Sequence, residues 1–494
     1  MHTQKSSPKW VTLLIVGLIF FSPALLQGCD SFGIQDAPDE APDTSQASAL
    51  DDFSKFRHSD LLTEARSTHL QTVAGKKRDK SATRDMDYDD VEAEEDEDYT
   101  EEVEMVHLVV GLSPYADADV TRRIISKYDV TRRVISKYGE DVKVKAELEE
   151  AIDAITLEIN ESLLDSLLHD LQADQDVAWV EPDIIMPDIN GNSKNAHGGT
   201  QMLPWGVAQV GGTLEAQDAS NVQVFILDSG VSETSEINLV SSVDFVGFYD
   251  SRAGTYQSFE KLPEGRAIRD ILGHGSPIAG TIGAINNDEG IRGVAPGVGI
   301  NSVKVLGKDG GTDVTTLLLA IEYIMQEQAN NPKLRYVVNM SLGGNIGTTS
   351  YNAVDEAVAT AIESGIVFVI AAGNEGIDAS TVSPAHVSTA ITVGAYGRNG
   401  IFSSFSNYGP DVDLLAPGED IASLSEKYDV QGSLILASGT SHAAPHATGA
   451  AVLYLAANPN ATPAEVERAL VMNAQSIIQG APTQTTNKSV FVSP

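Results

Sequence analysis

The sequence predicts a doubly wound α/β domain over residues 200–494, a mostly parallel sheet with helices on both faces, preceded by a small α+β domain over 105–190. Two observations carry the larger prediction. Short β-branched apolar runs at 222–227, 300–306, 336–340, 366–371 and 390–393 read as strands buried on both faces. Amphipathic or small-residue stretches at 275–285, 314–328, 351–364 and 441–456 fall between or after them and read as helices. In such a fold the functional groups belong at the carboxyl ends of the strands. A third observation carries the smaller domain: a strand-like run at 105–110, helix-like sequence, a mixed stretch over 142–159, a helix over 162–171 and a strand over 177–182, in βαβαβ-like order.

Residues 1–28 carry Lys5 and Lys9 and then an apolar run over 10–26 interrupted by Pro23, the layout of a secretory signal peptide. Cys29, the only cysteine, follows Leu26-Gln27-Gly28. That string resembles the lipobox at which bacterial lipoproteins are cleaved and lipidated, so the exported precursor is expected to be secreted or held at the cell envelope by a lipid on Cys29. With one cysteine there is no intramolecular disulfide, and stability must come from packing or metal. Residues 29–104 read as a linker, and 85–104 hold 13 acids and no Lys or Arg. The formal charge is -38, and from residue 200 onward 29 acids face 13 bases. Nucleic acid and anionic membranes are therefore poor candidate partners.

Within the small domain the decapeptide of 119–128 repeats almost unchanged over 129–138. In one helix the apolar faces of the copies differ by roughly 80°, so the repeat reads as a duplication that lengthens a helix or loop. Residues 191–199 turn to Asn, Gly, Ser and His, a flexible junction.

Three residues then stand where a doubly wound sheet presents chemistry. Asp228 ends an apolar strand before Ser229-Gly230, His274 lies between Gly273 and Gly275 at a helix start, and Ser441 follows Gly439-Thr440 at the head of a small-residue helix. Singly, a turn Asp, a packed His and an N-cap Ser account for them. Together, in the order Asp, His, Ser, they form a nucleophile, a base and a group to orient the base.

The local strings resemble the subtilisin-like serine proteases: Leu227-Asp228-Ser229-Gly230, Gly273-His274-Gly275 with Ile278-Ala279-Gly280-Thr281, and Gly439-Thr440-Ser441 with Ala443-Ala444-Pro445-His446. The resemblance implies a serine endopeptidase with Asp228, His274 and Ser441 as its triad and Asn374, in Ala371-Ala372-Gly373-Asn374, as a side-chain oxyanion donor. It implies protein or peptide substrates, bound along edges at Gly310, Gly311 and at Ser341, Leu342, Gly343, Gly344. It also makes 105–190 a ferredoxin-like inhibitory pro-domain, an intramolecular inhibitor removed by self-cleavage a few residues before Gln201 in a monomeric enzyme. A structural Ca²⁺ is implied, held by Gln201, Glu236 and Asn287 side chains and the carbonyls of Ile285, Glu289 and Ile291. In the precursor Gln201 is tied to the junction, so that site is expected to close only after cleavage. Departures from the pattern are Pro277 and His442, where His and Met are usual, and the absence of a Gly-rich ending. A peptide-binding relative without activity is the alternative, opposed by the intact triad strings, and no phosphate-loop motif supports a nucleotide enzyme.

Overall fold

The computed structural model describes residues 105–494 except 113–119, 149–150, 175, 183–184, 188–192, 198–200, 213–217, 247–248, 251–254, 257–260, 263–267, 309, 346–352, 427–432 and 493–494. The signal-like segment, Cys29 and the acidic linker lie outside the described residues.

The first domain runs β1 (Met105–Leu112), α1 (Val120–Tyr138), β2 (Val142–Leu148), β3 (Ala154–Asn160), α2 (Leu164–Ala173) and β4 (Val177–Pro182). Its antiparallel sheet has the order β2-β3-β1-β4. The mixed stretch is thus a β2–β3 hairpin and the order is βαββαβ. Val142 and Val144 alternate with Lys143 and Lys145, the period of a strand, and the lysines hide its apolar face. Helix α1 runs through both copies of the decapeptide. In the second copy Val130 and Val134 pack with Leu164, Leu167, Leu168 and Leu171 of α2 on one sheet face, and Arg133 binds Asp174 and Asp176.

The other face of that sheet meets the larger domain. Val109, Leu148, Ala154 and Trp179 join one core with residues of α4 (Val314–Asn330) and α5 (Ala353–Glu363), helices numbered after α3 (Gly275–Gly283). Beside that apolar contact Lys145 Nζ lies 3.9 Å from Asp313 Oδ2, and Asp313 caps the N-terminus of α4.

Between the domains lie two short strands, β5 (Ile185–Pro187) and β6 (Ser193–His197). The larger domain then supplies β7 (Val222–Asp228), β8 (Leu239–Asp244), β9 (Gly299–Lys304), β10 (Gly311–Asp313), β11 (Arg335–Met340), β12 (Gly344–Asn345), β13 (Val367–Ala371), β14 (Val382–Ser383), β15 (Ile391–Tyr396), β16 (Leu414–Pro417), β17 (Ile421–Leu424), β18 (Ser433–Ala437), β19 (Gln475–Ser476) and β20 (Lys488–Ser489). Among them β8-β9-β7-β11-β13-β15-β16 pair side by side, every neighbour parallel. Alternate residues feed two cores: Val222, Val224 and Ile226 face α3 and the long helix α6 (Thr440–Ala457), while Phe225 and Leu227 face α4 and α5. That is the doubly wound sheet expected from the apolar runs. From β7 the chain first builds β8 and β9 on one side and then returns to place β11 on the other. The strand order therefore reverses at β7, where an open sheet forms its crevice.

One buried carboxyl gives the fold a pH signature. Asp413, just before β16, accepts the Thr392 N–H at 2.8 Å, and burial pushes it up to about 7 against that hydrogen bond. An unfolded Asp titrates near ~3.9. The folded state thus holds the proton more tightly, and the stability this gives is complete below about pH 4 and lost as pH rises through about 7. Asp413→Asn should raise the thermal midpoint at pH 8 by about 3 °C, the shift that roughly 2 kcal/mol gives in a domain of this size, and barely change it at pH 4. Calorimetry at both values checks this, and equal shifts would contradict it.

Candidate active site

Asp228 is the last residue of β7 and is fully buried at the reversal point. His274 Nδ1 lies 2.9 and 3.0 Å from its two oxygens, and the Ser229 N–H donates to Oδ1 at 2.7 Å. A carboxylate at Nδ1 keeps the proton there and leaves Nε2 as the basic nitrogen. The approach depends on Gly275, the first residue of α3. A Cβ at that position would meet the Gly230 carbonyl oxygen at 2.1 Å and Asp228 at 3.2 Å.

Two groups behind this pair were not singled out from the sequence. Asp270 accepts the Gly273 N–H and the Ser276 N–H, each at 2.8 Å, and so grips the chain on both sides of His274. Ser229 Oγ lies 2.7 Å from Asp270 and 3.1 Å from Asp228, and accepts the Gly275 N–H at 3.0 Å. Burial raises the Asp270 carboxyl above the ordinary range, opposed by these hydrogen bonds. Lys304, at the end of β9, donates to the Ser229 and Leu306 carbonyls at 2.5 and 2.8 Å. Burial lowers its ammonium, and Asp244, Asp270 and Asp228 pull it back up. The signals were a lone Lys closing an apolar strand and an acid four residues before His274.

Ser441 sits in the first turn of α6. Pro445 lies one helical turn later and has no N–H for the Ser441 carbonyl. That carbonyl is taken instead by Ser341 Oγ at 3.0 Å, which in turn accepts Asn339 Nδ2 at 2.9 Å, while Thr448 Oγ1 donates to Asn339 Oδ1 at 2.8 Å. Asn374 Oδ1 accepts the Thr440 N–H at 2.8 Å, so its amide nitrogen is turned to the other side. The neighbour of Ser441, His442, sets its ring 5.6 Å from that of His274, edge on at 70°. Ser441 Oγ is buried and makes no hydrogen bond among the described residues. The Asp228–His274 contact is therefore closed and the His274–Ser441 contact is not.

His442 and His446 are fully packed. Burial first, then His274 and His446, hold His442 well below the usual imidazole range, and burial brings His446 to about 4. His446 Nδ1 donates to the His442 carbonyl at 3.0 Å, and a Cβ on Gly206 would meet its Nε2 at 2.4 Å. Both are thus neutral spacers against the helix.

Of the expected substrate edges, Gly311 opens β10 and lies opposite Pro187 of β5, after Gly310 at φ 79°. Gly344 pairs with Ser383 of β14, Gly343 would clash with the Ser383 carbonyl at 2.7 Å if it carried a Cβ, and Leu342 and Ser341 are buried inward. The calcium set also comes together. The Gln201 amide nitrogen lies 2.8, 3.0, 3.2 and 3.4 Å from Ile285 O, Asn287 Oδ1, Glu289 O and Ile291 O, and Asn287 Nδ2 donates to Glu236 Oε1 at 3.0 Å. One amide group has two protons and cannot serve four acceptors. Converging uncharged oxygens beside a carboxylate suit a hard cation, to which Gln201 would turn its own oxygen. Gln201 occupies this position in the uncut chain, which corrects the expectation that the junction would hold it away. It stands four residues past His197, the end of β6, enough chain for the junction to reach both places.

Residues 219–490, more than half of the chain, match the subtilase family. The extracellular serine proteinase of Thermus sp. (strain Rt41A) is 36% identical over 273 residues, 55% of this chain and 60% of its own length. Subtilisin E of Bacillus subtilis (strain 168) is 35% identical over 320 residues, 63% of this chain and 74% of that one. A crystal structure of a cold adapted subtilisin-like serine proteinase aligns over 59% of this chain and 98% of its own, at 33% identity and a TM-score of 0.48.

The Asp228–His274 contact gives a direct spectroscopic expectation. Its Nδ1 proton should appear as a far-downfield proton resonance, and Gly275→Ala should remove it while leaving the fold cooperative. Persistence of that resonance in the variant would show that the close approach at Gly275 does not set the pair.

Proposed function

The chain belongs to the subtilase family of subtilisin-like serine endopeptidases, and from that premise we propose that Asp228, His274 and Ser441 form its catalytic triad. The observation that carries the reading is the buried Asp228–His274 contact beside the first turn of α6. Ser441 Oγ attacks the scissile carbonyl, His274 Nε2 takes its proton and later passes it to the leaving amine, and Asp228 stabilises the imidazolium. The oxyanion is met by backbone N–H groups at the head of α6 and by the Asn374 amide, whose oxygen is anchored on Thr440. Losing such a side-chain donor costs subtilisin itself about 10² to 10³ in kcat, and that magnitude is carried over to Asn374. Ser441→Ala should abolish peptide hydrolysis and leave the purified precursor uncut. Maturation of that variant at the wild-type rate would assign processing to another enzyme.

The same reading makes 105–190 an inhibitory pro-domain. Its support is the apolar contact of β1, β3 and β4 residues with α4 and α5, and the pairing of β5 with the β10 edge expected to receive substrate. Export as a secreted precursor is supported by the layout of residues 1–28 and by the extracellular Thermus relative.

Gln201, Ile285, Asn287, Glu289, Ile291 and Glu236 would hold a structural calcium, which clamps the segment after the junction to the loop following α3. Because Gln201 already reaches that loop in the uncut chain, chelation should lower the thermal midpoint of the Ser441→Ala precursor and of the mature enzyme alike. A drop confined to the mature form would restore the coupling to cleavage, and no drop in either would remove the site.

A further inference from the structure

Three neighbouring strands of the parallel sheet end in charge. Lys304, the last residue of β9, stands in register beside Asp228 of β7 on one side and Asp244 of β8 on the other. The main chain stitches the same three ends together. The Asp228 carbonyl accepts the Val305 and Leu306 N–H groups, and the Lys304 carbonyl accepts the Phe245 N–H. Side chains alternate between the faces along each strand, so residues in register share a face. An acid, a lysine and an acid thus form one row at the carboxyl end of the sheet, directly behind His274.

The Lys304 ammonium is buried, and it donates to the carbonyls of Ser229 and Leu306 rather than to a carboxylate. It acts on the acids through space. Burial works against its charge, while Asp244, Asp270 and Asp228 support it. Asp270 joins this group through the Ser229 hydroxyl, which lies 2.7 Å from its carboxyl and 3.1 Å from that of Asp228.

The groups around His274 give that lysine its importance. Asp228 comes from β7, and Asp270 from the turn before α3. Glu426, after β17, sets Oε2 3.2 Å from where a Cβ on Gly273 would stand. His442, on α6, is kept neutral by burial. Arg269, beside Asp270, is exposed and screened by water. The carboxylates all favour the imidazolium, and Lys304 is the buried positive charge of this group that opposes them. A histidine that keeps its proton too tightly is already protonated at the working pH and cannot take one from a serine.

We infer that Lys304 is a positioning residue for the reaction: it fixes the Ser229 end of β7, and its charge sets the pH above which His274 can accept the serine proton. The inference deepens the triad reading and rests on it. Its signs follow from the row. Lys304→Met removes a positive charge, so the imidazolium is held more firmly and the acid limb of kcat/KM moves to higher pH. Asp244→Asn removes a negative charge, so the limb moves to lower pH. The first shift should be about one pH unit and the second about half of that, because β8 lies one strand further from β7 than β9 does. Lys304→Arg keeps the charge and should keep the limb in place even where its bulk lowers kcat.

The test measures kcat/KM for a short chromogenic peptide between about pH 5 and pH 10, on wild type and the three variants, each produced from the full chain. Opposite shifts in Lys304→Met and Asp244→Asn, with Lys304→Arg at the wild-type position, are expected. A lysine that were only a strut would lower kcat or stability and leave the limb where it is. If Lys304→Met does not fold, Asp244→Asn decides alone. Unmoved limbs, or shifts of the same sign in Lys304→Met and Asp244→Asn, would overturn the inference and leave the triad reading intact. A wild-type protein that fails to hydrolyse the peptide at any pH would overturn both.

Discussion

Everything at the head of the sheet follows from burying one carboxylate. Asp228 has no exposed surface, and a buried charge is tolerated only when it is paired and hydrogen-bonded. The chain meets that demand from three directions: the Ser229 amide, the His274 imidazole, and the Lys304 ammonium that holds the Ser229 carbonyl. Each partner is itself fixed. His274 can approach because Gly275 has no side chain and because Asp270 grips the amides of Gly273 and Ser276. The strand order supplies the place, since β7 is where the sheet reverses and its carboxyl end faces an open crevice.

A second constraint positions the serine. A proline in the second turn of a helix leaves a carbonyl without its usual partner, and here that carbonyl belongs to Ser441. Ser341 fills the position and is backed by Asn339 and Thr448. Helix α6 is thereby tied to the end of β11 at Ser441, the proposed nucleophile. The pair Asp228–His274 and the residue Ser441 are thus set by separate networks that meet at the His274–His442 ring contact.

The sheet was legible because its central strands are buried on both faces and read as unbroken apolar runs, as 222–227 and 366–371 do. Strand β8, with Ser241, Ser242 and Asp244, carries no such run and was missed, as was β16, only four residues long. In the small domain alternating lysines concealed β2. The strings of the proposed triad were picked out from residue type and local context. Asp270 and Lys304 were not, because a lone acid or lysine acquires its role only when distant segments converge on it. The Ser341 hydroxyl was read as part of a substrate edge, and its contact with the Ser441 carbonyl depends on a proline whose effect appears only once α6 is built.

On the proposed mechanism Ser441 carries the activated hydroxyl, with His274 as its base. The most direct measurement is mass-spectrometric mapping after treatment of the mature protein with a fluorophosphonate, beside a folded His274→Ala variant. A single adduct on Ser441 in the wild type, slowed at least about a hundredfold in the variant, is the predicted result. An adduct at another residue, or equal labelling of both proteins, would contradict the account.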